Sequence, residues 1–169
     1  MPATPDELFA FLDRLQIKHR TFSHPPAFTV AESRHLHEQI PGGHSKNLFL
    51  KDRRGALKLV VALQDAEIEL KSLHRRLGAT GRFSFGSPDL LREALGIEPG
   101  SVTPFAAIND TARRVEVVLD QAILTHETLN YHPLVNTMTT SISRKDLVRF
   151  LEATGHPPRI ALVSEAPSQ

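Results

Sequence analysis

The sequence predicts a mixed α+β fold. Three observations carry this. Several segments open on a helix-capping signature and continue with apolar residues at three- and four-residue spacing. Runs of strand-forming residues, bounded by turn residues, lie between them. The two kinds of segment interleave without the regular alternation of a βαβ repeat, so a mixed sheet is expected rather than a doubly wound parallel one.

Taken in order, Thr4-Pro5-Asp6-Glu7 supplies a capping hydroxyl, a first-turn proline and a glutamate three residues on, and Leu8, Phe11, Leu12 and Leu15 follow at helical spacing. Thr29-Val30-Ala31-Glu32 repeats the capping logic and opens a second helix that should stop near Pro41-Gly42-Gly43. Residues 47–50 and 56–63 are apolar and flank Asp52-Arg53-Arg54-Gly55, which reads as a β-hairpin. Residues 67–77 carry Leu70, Leu73 and Leu77 before Gly78 and form a third helix. Phe83-Ser84-Phe85 reads as a short strand, and Ser87-Pro88-Asp89 caps a helix that Gly96 ends. A loop over 98–104 follows, then strands at 115–119 and 134–142. Ser143-Arg144-Lys145-Asp146 starts a helix with Leu147, Phe150 and Leu151 on its inner face, closed by Gly155, and 160–163 is the last strand.

A chain of 169 residues supports one sizeable core, and a single domain over residues 1–164 with a frayed tail at 165–169 is expected. No cysteine is present, which removes disulfides, thiolate nucleophiles and cysteine-based metal sites and fits a reducing cytosol. The N-terminus lacks an export signal and no run approaches a membrane span, so a cytoplasmic location follows as the expectation. With 20 basic and 19 acidic residues, any nucleic-acid binding must be local. Short basic clusters stand at Lys51/Arg53/Arg54, Lys71/His74/Arg75/Arg76, Arg113/Arg114 and Arg144/Lys145; each taken alone reads as a solvated face.

The nine histidines raise the question of a metal. His35 and His37, two apart on a helix, point to different faces, no HExxH stretch occurs, and the others are spread along the chain, so neither metal nor cofactor is expected. Gly42-Gly43-His44-Ser45-Lys46 lacks phosphate-loop spacing, and no GxSxG elbow is present. Lys46, at the mouth of a bend before a buried strand, reads either as a surface group or as a cation that steadies an oxyanion or a phosphate. Gly100-Ser101-Val102-Thr103-Pro104 reads as a turn or as backbone lining a site, and His132-Pro133 as a surface loop or as a ring aimed into a cleft.

These elements occur together and in order: His24-Pro25-Pro26-Ala27-Phe28-Thr29-Val30, Ser45-Lys46-Asn47-Leu48-Phe49-Leu50, Gly100-Ser101-Val102-Thr103-Pro104-Phe105 and His132-Pro133-Leu134-Val135-Asn136. In this the chain resembles the prolyl-tRNA synthetase-associated, YbaK-like editing superfamily, and within it the freestanding alanyl-tRNA(Pro) deacylases of the ProX type. The resemblance implies a mixed sheet curled around a small pocket with helices packed outside. It implies hydrolysis of mischarged alanyl-tRNA(Pro) by water assisted by the 2′-hydroxyl of the terminal adenosine, without metal or side-chain base. By position in these motifs, Lys46, Gly100 and His132 are the expected catalytic positions. Asn47, Ser101, Val102, Thr103 and Pro104 are the expected substrate contacts, with Phe28, Val30, Leu50 and Val61 as candidates for setting pocket size. The resemblance raises Arg53, Arg54, Arg75 and Arg76 to candidate tRNA contacts, with the acceptor end of tRNA(Pro), and a prolyl-tRNA synthetase, as partners. The alternatives are another aminoacyl-tRNA, such as cysteinyl-tRNA(Pro), and a non-catalytic module that binds tRNA or a synthetase.

Overall fold

The computed structural model describes residues 1–27 and 29–164, Val30 through its backbone alone. Phe28, the side chain of Val30 and the tail at 165–169 therefore lie outside the described residues.

Helices α1 (Pro5–Arg14) and α2 (Val30–Gln39) each begin on a complete capping box, Thr4 with Glu7 and Thr29 with Glu32. Helix α3 (Leu70–Leu77) and α4 (Pro88–Leu95) both end on a glycine in the left-handed conformation, Gly78 and Gly96. Helix α5 (Arg144–Ala153) is capped by Ser143, whose hydroxyl accepts from the Asp146 N–H. Helix α3 starts three residues later than the leucine spacing predicts, because Glu69 makes no side-chain cap and the turn begins only at Leu70.

The strands are β1 (Arg20–Ser23), β2 (Gly43–Lys51), β3 (Leu57–Leu63), β4 (Ser84–Phe85), β5 (Val115–Asp120), β6 (Thr128–Tyr131), β7 (Met138–Ser143) and β8 (Arg159–Ala161). They form one mixed sheet in the order β1-β7-β6-β2-β3-β5-β8, with β4 added to the end of β2; its outer strands do not meet, so it stays open. The β2–β3 hairpin is present, with Lys51 opposite Leu57, and β2 begins four residues earlier than expected. Strand β7 is shorter than the expected 134–142: Pro133 has no N–H to give to a ladder and Leu134 sits at φ 74°, so 132–137 turns back instead. Strand β8 ends at Ala161, and Val163 beyond it is buried in the core. Strands β1 and β6, four residues each, carry too little periodicity to stand out in the sequence.

Alternation along β2, β3 and β5 divides the core by sheet face. Phe49, Leu57, Leu59, Val61, Val115, Val117 and Leu119 pack with α1, α4, α5 and the short 3-10 segment Pro104–Asn109. On the other face Leu50, Val60 and Val118 pack against Leu73 and Leu77 of α3 and against Val163. No described helix is long and apolar enough to cross a membrane.

Candidate active site

Strands β2 and β6 run parallel for only two residues, Gly43 beside Leu129 and His44 beside Asn130. Beyond that point β2 continues against β3 while β6 stays with β7, and the two part. In open sheets, a crevice where neighbouring strands diverge is where ligands enter. Here a cavity of about 100 Å³ occupies the fork, lined by Ser45 and Asn47 of β2, by Tyr131 and His132 at the end of β6, by Asn136 and Thr139, and by His37 and Ser33 of α2.

Asn47 faces inward, and its Nδ2 donates to the carbonyl of Val102 at 3.0 Å. Only the amide nitrogen can donate to a carbonyl, so this bond orients the side chain and leaves Oδ1 as a buried acceptor with no partner. The loop carrying Gly100 to Pro104 thus abuts the cavity in two places: Val102 holds Asn47, and a side chain on Gly100 would press on Nδ2 of Asn136 at 3.2 Å. Ser101, Thr103 and Pro104 are buried behind it, with the Thr103 hydroxyl accepting from the Phe105 N–H.

Tyr131 is buried, its ring edge-on to Phe105, and its hydroxyl accepts from Ser45 Oγ at 3.4 Å. Burial pushes the phenol well above its ordinary value, so it stays protonated. His132 donates Nδ1–H to the Met138 carbonyl at 2.9 Å, which leaves Nε2 an unprotonated acceptor. Burial lowers its pKa, with a further push from His24, whose ring centre is 6.2 Å away. His37 and His44 stack with centres 4.0 Å apart. Burial and then His44 lower His37 to about 4, against the opposing pull of Asp65. His44 is likewise lowered by burial and donates Nε2–H to the Ile40 carbonyl at 2.8 Å. At neutral pH these three rings are uncharged dipoles. The histidines that looked scattered in sequence thus gather around one fork, though among the described residues no three His, Asp or Glu side chains are placed to share a metal ion.

Lys46 alternates with Asn47 and so leaves β2 on the opposite face, opposite Ala62, where Nζ donates to the Ala66 carbonyl. Lys46 is not among the residues that line the cavity. Leu50 does not border the cavity: it is fully buried against Leu73 and Leu77, because its even position in β2 faces α3. Val61 is fully buried in the larger core on the other face. Arg53 and Arg54 stand in the β2–β3 turn, about 20 Å along β2 from Ser45 by strand rise. Arg75 and Arg76 lie on α3, with Arg76 bonded to the Leu162 carbonyl. Asn130, Tyr131 and Thr139 carried no signal in the sequence, and His37 and His44 stood out there only as a metal ligand and a phosphate-loop residue that the spacing did not support. Ser45 and Asn136 lay within its motifs without a role.

A family model described as an aminoacyl-tRNA editing domain matches residues 24–150. The chain belongs to that family. This editing domain is 40% identical over 156 residues to prolyl-tRNA synthetase associated domain-containing protein 1 of Danio rerio, covering 91% of this chain and 84% of that protein. It is 35% identical over 150 residues to prolyl-tRNA editing protein ProX of Acetoanaerobium sticklandii, covering 88% and 91%. Its fold matches the crystal structure of a candidate trans-editing enzyme for prolyl tRNA synthetase with a TM-score of 0.69 at 18% identity, over 98% of this chain and 100% of that one. As an editing domain the protein is an aminoacyl-tRNA deacylase.

Proposed function

We propose that this deacylase removes alanine from mischarged tRNA(Pro) in the cytosol. The observation that carries the reading is the small cavity in which Asn47 Oδ1 is a buried acceptor without a partner. A proline-activating site cannot exclude smaller residues well, since each methylene contributes only about 10- to 200-fold discrimination, so a second sieve that fits a methyl side chain restores accuracy.

In this mechanism the α-ammonium of the alanyl ester donates to Asn47 Oδ1. The backbone around Gly100 and Val102 borders the carbonyl. Water attacks the carbonyl carbon, the carbon–oxygen bond to the ribose breaks, and the proton passes to the departing ribose oxygen, leaving alanine and free tRNA. The neutral Nε2 of His132 accepts a hydrogen bond from the ribose hydroxyl that assists the water. Lys46, between Ser45 and Asn47 on β2 but outside the cavity lining, holds the phosphate of the terminal nucleotide.

The test is a deacylation panel of alanyl-, cysteinyl- and prolyl-tRNA(Pro), run with the wild type and with Lys46→Ala. Alanyl-tRNA(Pro) is hydrolysed at least tenfold faster than the others by the wild type, and Lys46→Ala loses kcat/KM chiefly through KM, as expected for a contact made equally in ground and transition states. Equal or reversed rates for prolyl-tRNA(Pro) overturn the alanine reading.

A further inference from the structure

The end of the sheet farthest from the cavity carries a feature that deacylation does not use. Two turns meet there, 52–55 between β2 and β3 and 110–114 before β5, and both are organised by a buried aspartate. Asp52 accepts from the N–H groups of Arg54, Ala56 and Thr80, at 2.9, 2.9 and 3.2 Å. Asp110 accepts from those of Arg114 and Val115, at 3.0 and 2.8 Å, and from His156 Nε2 at 2.9 Å.

Each turn lays one arginine across a glycine. Gly81, at φ 75°, would bring a side chain within 2.9 Å of Arg53 Nε; Gly155, at φ 85°, would run one into the guanidinium of Arg113. Arg113 itself sits at φ 56°, a left-handed conformation unfavourable for arginine that persists only where its surroundings hold it. Here the Asp110 network holds it. Among the described residues no carboxylate pairs with Arg53 or Arg113, although Lys58 and Arg114 beside them are paired with Glu116 and Glu93. Arg113, Arg114, Lys58 and Glu116 line a hollow of about 280 Å³, to which Ala56 of the other turn also contributes, while Arg53 stands outside it.

A seated guanidinium has already given up its rotamer freedom, so binding an anion costs it little further entropy. On a chain whose net charge is only +1, two such unpaired cations at one end of the sheet, one on the β4 side and one on the β8 side, offer two separate contacts for anions. We infer that Arg53 and Arg113 bind phosphates of the tRNA body, at a second contact about 20 Å along the sheet from the reacting ester. The phosphodiester backbone is the occupant because it offers anions at a fixed spacing and, with the aminoacyl end in the cavity, is covalently part of the same substrate. The inference rests on tRNA as the substrate, not on alanine as the amino acid.

The experiment titrates uncharged full-length tRNA into wild type and the double variant Arg53→Ala/Arg113→Ala over a range of salt, with thermal melts to verify folding. The variant binds about tenfold more weakly at low salt, and its log Kd against log salt is shallower by about two, one for each phosphate released. A short acceptor-end hairpin binds both proteins alike. Unchanged affinity and slope for full-length tRNA overturn the proposal, as does an equal loss with the hairpin. So does inorganic phosphate binding at Arg113 that full-length tRNA does not displace, the mark of a free-anion site. Because the tRNA is uncharged, the outcome is independent of the deacylation panel. If the double variant fails to fold, Arg113→Lys answers the same question, since it keeps the charge but loses the flat seat on Gly155; it should bind tRNA less tightly than wild type, and wild-type binding overturns the role of the seat.

Discussion

Asn47 on β2 and Val102 in the loop after α4 are joined by a single hydrogen bond, Nδ2 to carbonyl at 3.0 Å, across 55 residues of sequence. That bond ties the strand that starts the fork to the loop that closes it, and turns the remaining oxygen of the amide into the cavity.

Replacing Asn47 therefore tests both ends of one group. Asn47→Ala is expected to lower kcat/KM for the aminoacyl ester by roughly 10²-fold, the usual scale for a lost preorganised contact. Asn47→Asp is expected to do worse at neutral pH, since a carboxylate cannot donate to the Val102 carbonyl and is repelled by it. Single-turnover deacylation distinguishes the two, and a wild-type rate in the aspartate variant would contradict this role.

The histidines around the fork predict how the fold responds to acid. The folded pKa values of His37, His44 and His132 lie below that of a free imidazole, His37 at about 4. Between that value and the unfolded pKa near 6.5 the unfolded chain binds more protons, so the stability these rings contribute is complete above pH 6.5 or so and is lost as pH falls toward 4. Urea midpoints at several pH values should fall across this window, and His37→Gln should flatten the fall. Turnover should decline as pH falls below about 6.5 and His132 Nε2 takes up a proton and ceases to accept.

The buried pair of His156 and Asp110, with side chains 3% and 2% exposed, is a stability element. His156→Ala leaves the Asp110 carboxylate buried with one donor fewer and is expected to cost about 3 kcal/mol or more. A lower urea midpoint at an unchanged slope would show it; an unchanged midpoint would mean that water replaces the imidazole freely.

Where the sequence was legible, the signal was local. Thr4 with Glu7 and Thr29 with Glu32 lie three residues apart, and Gly78 and Gly96 end helices through their own backbone freedom, so each could be read without knowing what packs against it. The β2–β3 hairpin was legible for the same reason. Leu134 shows where this stops: its apolar, strand-forming surroundings read as a strand, yet the proline before it and its left-handed backbone make a turn. Leu50 was a reasonable pocket residue by its nearness to Asn47, but strand alternation sends it to the other face.

By itself the sequence determined the helices, the hairpin, the mixed class of the fold and, through four motifs in register, the editing family. Tertiary structure alone decided that the parallel pairing of β2 with β6 ends after two residues, that His24, His37, His44 and His132 converge on the resulting fork, and that Lys46 stands outside it. The physical reason is separation along the chain: caps and turns are settled by neighbours within a few bonds, whereas β2 and β6 lie more than eighty residues apart, and where they part depends on every strand and helix packed between them.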